Sequence, residues 1–354
     1  MPKLFSSRFL PQPSDPHALS VNPPPREAGP IGVLLVNLGT PDEPTAKSIR
    51  RYLSEFLSDT RVIEIPQWLW QVILQGVILT LRPRKLVPRY RQIWLDRGSP
   101  LLVWSQAQAQ GVQNALQARG VVAHVQLGMR YGNPSVGAAM DALRAQGCDR
   151  ILTVPMYPQY AASTTATAVD CVAGHAARLR DQPELRFIKR YHDQPAYIDA
   201  LAHQVRQYWQ QNGKPQRLLL SFHGLPRRVI EQGDPYHRDC VETMLLLQQR
   251  LGDDAGLVHM SFQSRFGAEQ WLQPYTEPTL KAWAAQGITK VDVMCPGFLA
   301  DCLETLEEIQ VECRDAFLAA GGEQFRYLPC LNDDPVWIDG FTAIIQRHLA
   351  GWSA

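Results

Sequence analysis

Ile31-Gly32-Val33-Leu34-Leu35-Val36-Asn37-Leu38-Gly39-Thr40-Pro41 is the stretch on which the fold turns. Val33 to Val36 leave no polar face, as a parallel strand covered by helices on both sides requires. A glycine and a proline then stop the run. Arg217-Leu218-Leu219-Leu220-Ser221-Phe222-His223-Gly224-Leu225-Pro226 repeats the plan nearly two hundred residues later. Further short apolar runs stand at 121–127, 150–155, 185–190, 256–262, 290–294 and 325–328, separated by helix-length stretches. That alternation predicts an α/β chain with parallel sheets flanked by helices.

A weaker echo supports two similar lobes. Pro155 is followed eight residues later by Ser163, and Pro296 eight residues later by Glu304. Two Rossmann-like lobes would place the C-terminal ends of their strands along a shared cleft, where ligands of such sheets bind. The expected division is a proline-rich tail over residues 1–30, a first lobe over 31–195, a second over 196–334, and a C-terminal helix over 335–354 packing back on the first lobe.

Composition narrows the function. A chain of 354 residues with 45% hydrophobic and 19% charged residues has ample core for two domains. A formal net charge of +1 gives no field for a polyanion, so nucleic acid is excluded as a partner. The seven cysteines are scattered without a C-x-x-C pair, which points to free thiols in a reducing compartment. Residues 1–30 lack the apolar core of a secretory signal and are poor in arginine, so a cytoplasmic location is expected.

Residues 65–81 carry no charge except Glu64 just before them, and include Trp68, Leu69, Trp70, Val72, Ile73, Leu74 and Val77. The run is shorter than the ~20 residues of a spanning helix. Gln67, Gln71 and Gln75 recur every fourth position, so a helix here has one amide face. Two readings stay open: a lip lying on a membrane surface, with Arg82, Arg84 and Lys85 at the level of anionic head groups, or an amphipathic helix buried in the core.

Two elements carry the chemistry. His223 ends a buried strand at an abrupt turn, which aims its imidazole at the cleft, although a lone histidine is commonly structural. Residues 301–317 read as a helix, with Asp301 as N-cap, stopped at Gly321-Gly322. Cys302, Leu306, Ile309, Cys313 and Phe317 form its inward stripe, and Glu304, Glu308 and Glu312 share another face. No Lys or Arg lies three or four positions away to relieve their repulsion. The plain alternatives are a capping box between Asp301 and Glu304, and solvated glutamates beyond it.

The chain resembles the ferrochelatase family over nearly its whole length. The resemblance rests on Tyr157-Pro158-Gln159-Tyr160 with Ser163-Thr164-Thr165, on Ser221-Phe222-His223-Gly224-Leu225-Pro226, and on Gly233-Asp234-Pro235-Tyr236. Gln263-Ser264-Arg265-Phe266-Gly267 before Trp271-Leu272, and Glu304-Thr305-Leu306, complete it. It implies an enzyme of haem biosynthesis, a lyase that inserts Fe(II) into protoporphyrin IX and releases two protons. His223 and Glu304 are then the catalytic pair across the ring, and with Glu308 and Glu312 they form a path for the metal along a helix with a π-type irregularity. Tyr90, Tyr131, Tyr160 and Trp271 are expected as walls of the porphyrin pocket, and Arg130 and Ser99 as contacts to a propionate. Leu38 stands where relatives carry methionine or tyrosine, so no axial contact to the metal is expected there. The resemblance implies no prosthetic group and, without a C-terminal cysteine cluster, no iron–sulfur centre; iron is substrate. A monomer, in peripheral contact with the inner membrane through residues 65–85, is the expected state. A chelatase of the same fold using coproporphyrin, cobalt or nickel, and a non-catalytic porphyrin carrier, are the alternatives.

Overall fold

The computed structural model describes residues 9–10, 19–21 and 29–352, so most of the proline-rich stretch at 1–30 lies outside the described residues. Eight strands form two sheets. In the first, β1 (Ile31–Thr40), β2 (Ala123–Gly132), β3 (Arg150–Pro155) and β4 (Glu184–Phe187) lie parallel in the order β2-β1-β3-β4. In the second, β5 (Arg217–His223), β6 (Val258–Gln263), β7 (Lys290–Met294) and β8 (Gln324–Tyr327) repeat that order as β6-β5-β7-β8, again all parallel. The two lobes are therefore copies of one topology, as their echoing strand ends predict.

The central strands are sealed on both faces. Val33 and Leu35 point into a core that also holds Leu218, Leu220, Phe222, Tyr197, Trp337 and Phe341, so one hydrophobic cluster runs through both lobes. Leu34 and Val36 point the other way, onto Val136, Met140, Ile151 and Val172. This is the alternation a two-sided strand imposes. β1 and β2 extend beyond the predicted runs, pairing Gly39 with Tyr131 and Thr40 with Gly132. Gly39 has φ 112°, and a Cβ there would lie 1.7 Å from the Tyr131 carbonyl oxygen, so only glycine permits the extension. At the outer edge, the Gln113 amide accepts from Val125 N–H at 2.8 Å and donates to the Ala123 carbonyl at 3.0 Å. One side chain thus stands in for a missing strand.

The helix Pro335–His348 packs on the helix Pro100–Ala118 of the first lobe and on the helix Pro195–Asn212 that leads into the second. Trp337 stacks on Phe341 with ring centroids 4.7 Å apart and meets Tyr197 edge-on at 5.8 Å. Its indole N–H donates to Gln108, whose own amide donates to the Leu299 carbonyl of the second lobe at 2.8 Å.

The uncharged run becomes a helix from Gln67 to Ile73, a π turn over Leu74–Ile78, and a lip helix over Leu79–Ile93. Trp70, Leu74 and Leu79 turn inward onto Tyr52, Leu53 and Tyr90, while Trp68, Val72, Val77 and Leu81 are exposed. One face of this segment is core and the other is open. Among the described residues no helix is long and apolar enough to cross a membrane.

Candidate active site

His223 closes β5, and its partner in register is Gln263 at the end of β6. The His223 Nδ1 lies 2.7 Å from the Gly224 carbonyl oxygen. A carbonyl only accepts, so Nδ1 carries the proton and Nε2 keeps a free lone pair, ready for a proton or a metal. The ring tilts against Phe298 with centroids 6.4 Å apart. Trp271 borders the same turn: it bridges to Pro226, and a Cβ at position 224 would sit 3.1 Å from its indole.

The segment from Glu304 to Cys313 is a π-helix rather than an α-helix. Its start is pinned from outside. Gln263 donates from Nε2 to the Glu304 carbonyl at 2.8 Å, and its Oε1 accepts from Ser221 Oγ at 2.8 Å. Asp301 is not the N-cap expected of it; that position falls on Leu303. Asp301 is buried and accepts instead from Thr305, Tyr327, Asn332 and the Cys330 N–H. The wider i→i+5 closure also shifts the buried stripe. Thr305 and Glu307 are buried where Leu306 was expected, and Leu306 is only half-buried.

Glu308 is held from both oxygens, accepting from Ser264 N–H at 2.6 Å and from Ser264 Oγ at 2.5 Å. Ser264 takes φ 64° to present both donors. Burial pushes the Glu308 carboxyl up; the Ser264 bonds and nearby His223 pull it down, and Glu304 raises it further. His223, Glu304 and Glu308 therefore share one electrostatic site. Glu304 also pushes up the Cys302 thiol, already raised by burial, and the Tyr90 and Tyr52 hydroxyls.

The outer glutamates are not unrelieved. Arg89 of the lip helix reaches Glu307 at 3.1 Å and Glu312 at 2.7 Å. The cation missing from the helix's own sequence is thus supplied from another element, which corrects the reading of an unpaired ladder. Among the described residues no three His, Cys, Asp or Glu side chains converge as a ready metal cage.

The expected walls separate into two groups. Trp271 borders the turn at His223, whereas Tyr90 is packed in the core of the first lobe with its hydroxyl in the field of Glu304. Tyr131 does not serve as an open wall: it is buried, and its hydroxyl donates to Asp59 at 2.8 Å. Arg130 donates to the same Asp59 and to Thr167 at 2.7 Å, so its charge is already neutralised. Ser99 is 2% exposed and caps the helix Pro100–Ala118 by accepting from Leu102 N–H. Tyr160 stands farther off, under Lys189 and near Asp234 and Arg61.

Sequence reasoning missed Arg82, Tyr52 and Gln263 as site residues. Arg82, expected at a lipid head group, turns inward over the Phe266 ring at 5.1 Å, and burial lowers its pKa while Glu304 raises it. Its place in a row of lip cations gave no sign of this. Gln263 lay inside a motif already noted, and its position level with His223 on the neighbouring strand was the available signal.

The model of the family described as Ferrochelatase matches residues 30–349. The protein named Ferrochelatase from Bordetella pertussis is 62% identical over 349 residues, covering 99% of this chain and 96% of the relative. The Polaromonas protein of the same name is 52% identical, covering 97% of this chain and 93% of that one. Among solved structures, SirB from Bacillus subtilis with Fe3+ aligns over 91% of this chain and 97% of its own at a TM-score of 0.56 and 14% identity, a likeness of fold.

Proposed function

The chain belongs to the ferrochelatase family, and on that premise we propose that it inserts ferrous iron into protoporphyrin IX to form haem, with His223 and Glu304 acting on opposite sides of the ring. Two pyrrole protons must leave as the metal enters. The observation that carries the assignment is the 2.7 Å approach of His223 Nδ1 to the Gly224 carbonyl: with that nitrogen committed as a donor, Nε2 is the ring atom left to accept a proton, in the field it shares with Glu308. His223 accepts a pyrrole proton, while Glu304 and Glu308 hand over the metal. Imidazole and carboxylate both bind Fe(II), and the macrocycle supplies the remaining donors, so no preformed cage is needed. Glu312 stands at the outer end of that path. Iron is substrate, and no prosthetic group is invoked.

Trp271 and Phe298 supply flat apolar contact for the ring, and Arg82 places a cation near Glu304. With Arg130 neutralised by Asp59, the cleft suits a porphyrin with few carboxylates, which favours protoporphyrin over coproporphyrin. The exposed face of Trp68, Val72, Val77 and Leu81 fits delivery of such a substrate from a membrane surface to a monomer that rests on it.

The test is anaerobic mixing of the full chain with each porphyrin and ferrous or zinc ion, followed by absorption. Metalloporphyrin should form, faster from protoporphyrin. His223→Ala should lower kcat by at least a hundredfold while porphyrin still binds. Near-native turnover in that variant would remove His223 from the mechanism, and absence of turnover in the native chain would leave a carrier.

A further inference from the structure

The lip helix and the π-helix face each other with opposite charge. Arg82 lies within the field of Glu304, and Arg89, two turns on, bridges Glu307 and Glu312. Glu307 is buried; burial and Glu312 push its carboxyl up and Arg89 pulls it down. The guanidinium thus sits where a divalent cation would first meet the row of carboxylates. Two of its N–H donors occupy oxygens, one on Glu307 and one on Glu312, that a hard cation would otherwise take.

We infer that Arg89 is a positioning residue that gates metal entry: its guanidinium holds Glu307 and Glu312, and a divalent cation loads the carboxylate row only by exchanging with it. The inference rests on the reading of that row as the metal path. Two like charges do not share the site, so guanidinium and metal exclude each other, and the apparent affinity for metal is lowered by the strength of the bridge. Because Arg89 rides on the lip helix, which also carries Tyr90 beside Glu304, anything that shifts the lip against the π-helix alters access for the metal. Arg89 touches neither the ring nor the pyrrole nitrogens in this scheme, so porphyrin affinity should not depend on it.

The experiment uses the full chain with Zn2+ as probe, measuring calorimetric binding without porphyrin and steady-state insertion with it. Arg89→Gln should tighten Zn2+ binding and lower KM for Zn2+ by on the order of threefold to fivefold, the equivalent of one partly exposed ion pair. KM for porphyrin and kcat at saturating Zn2+ should stay native, and Arg89→Lys should restore most of the native KM for metal. Should Arg89→Gln fold poorly because Glu307 is left buried and unpaired, the double variant Arg89→Gln/Glu307→Gln removes that charge and should show the same tightening through the freed Glu312. Unchanged or weaker Zn2+ binding in these variants would overturn the gate. The path itself is tested separately: Glu308→Gln and Glu312→Gln should raise KM for Zn2+, and if they do so while Arg89→Gln has no effect, the path stands and the gate falls. If they leave KM unchanged, the path falls first.

Discussion

At the scale of single residues, the site depends on polar groups that are fully committed before any substrate arrives. Asp59 is the clearest. Burial alone would raise its pKa, but hydrogen bonds from Thr167, Arg61 N–H and Tyr131, with the charge of Arg130, hold it below the ordinary carboxylate value. A depressed value means that the charged form is stabilised by folding. The contribution is complete above the unfolded pKa of ~3.9 and is lost as pH falls through the folded value. Asp59→Asn should therefore cost about 1 to 3 kcal/mol at pH 7, where Arg130 loses its counter-charge. In urea melts the gap from the native chain should narrow below pH ~4; a gap independent of pH would mean that Asp59 is not charged in the folded protein. None of this cluster was legible in the sequence, since Asp59, Arg130 and Thr167 are joined only when the helix Ala46–Leu57, β2 and the helix Thr167–Ala176 meet.

At the scale of elements, strands were legible from the residues themselves, whereas the π-type irregularity of the Glu304–Cys313 helix was expected only from the family resemblance. The central strands β1 and β5, buried on both faces, announce themselves by unbroken aliphatic sequence, and the mixed edge strands β4 and β8 fell within a few residues of their place by the spacing between helices. A π-helix has no such signature. The stripe of Cys302, Leu306, Ile309, Cys313 and Phe317 fits α-helical spacing, yet the Asp301 network and the Gln263 bond to Glu304 fix the segment in a wider turn. Tertiary anchors outside the segment overrode its local periodicity. The lip shows the opposite case, where the sequence left two readings and the fold packs one face into the core and exposes the other. Trp68 is 76% exposed and Val72 70%, next to the exposed Arg84 and Lys85. Replacing Trp68, Val72 and Val77 together by serine should weaken co-sedimentation with vesicles containing phosphatidylglycerol by at least about tenfold, because each side chain removes apolar area worth ~1 kcal/mol or more on insertion. Circular dichroism and insertion of zinc into detergent-dispersed porphyrin should stay native. Equal sedimentation of both proteins would leave the lip without a membrane role.

At the scale of the whole molecule, two lobes of one topology are welded by a single core. Trp337 is wholly buried between the helix Pro100–Ala118 and the helix Pro195–Asn212, and the hydrophobic cluster around it draws on both sheets. Trp337→Ala should lower stability by about 3 to 5 kcal/mol, with the native protein unfolding in one transition. Two separate transitions in the native chain would show the lobes to be independent. The weld bears on the proposed site because His223 and Glu304 come from the second lobe while Tyr52, Arg82 and Arg89 come from the first, so their spacing is kept only while the lobes stay joined. The sequence by itself determined the alternation of strands and helices, the duplicated plan, and the place of His223 at the end of a buried strand, because burial on both faces and the turn residues after a strand are local properties of the chain. Only the tertiary structure decided which cation neutralises which carboxylate, which tyrosine is wall and which is core, and where a helix widens into a π turn. Those outcomes depend on side chains brought from distant positions into contact, and the energy of an ion pair or a buried hydrogen bond does not exist until both partners have arrived.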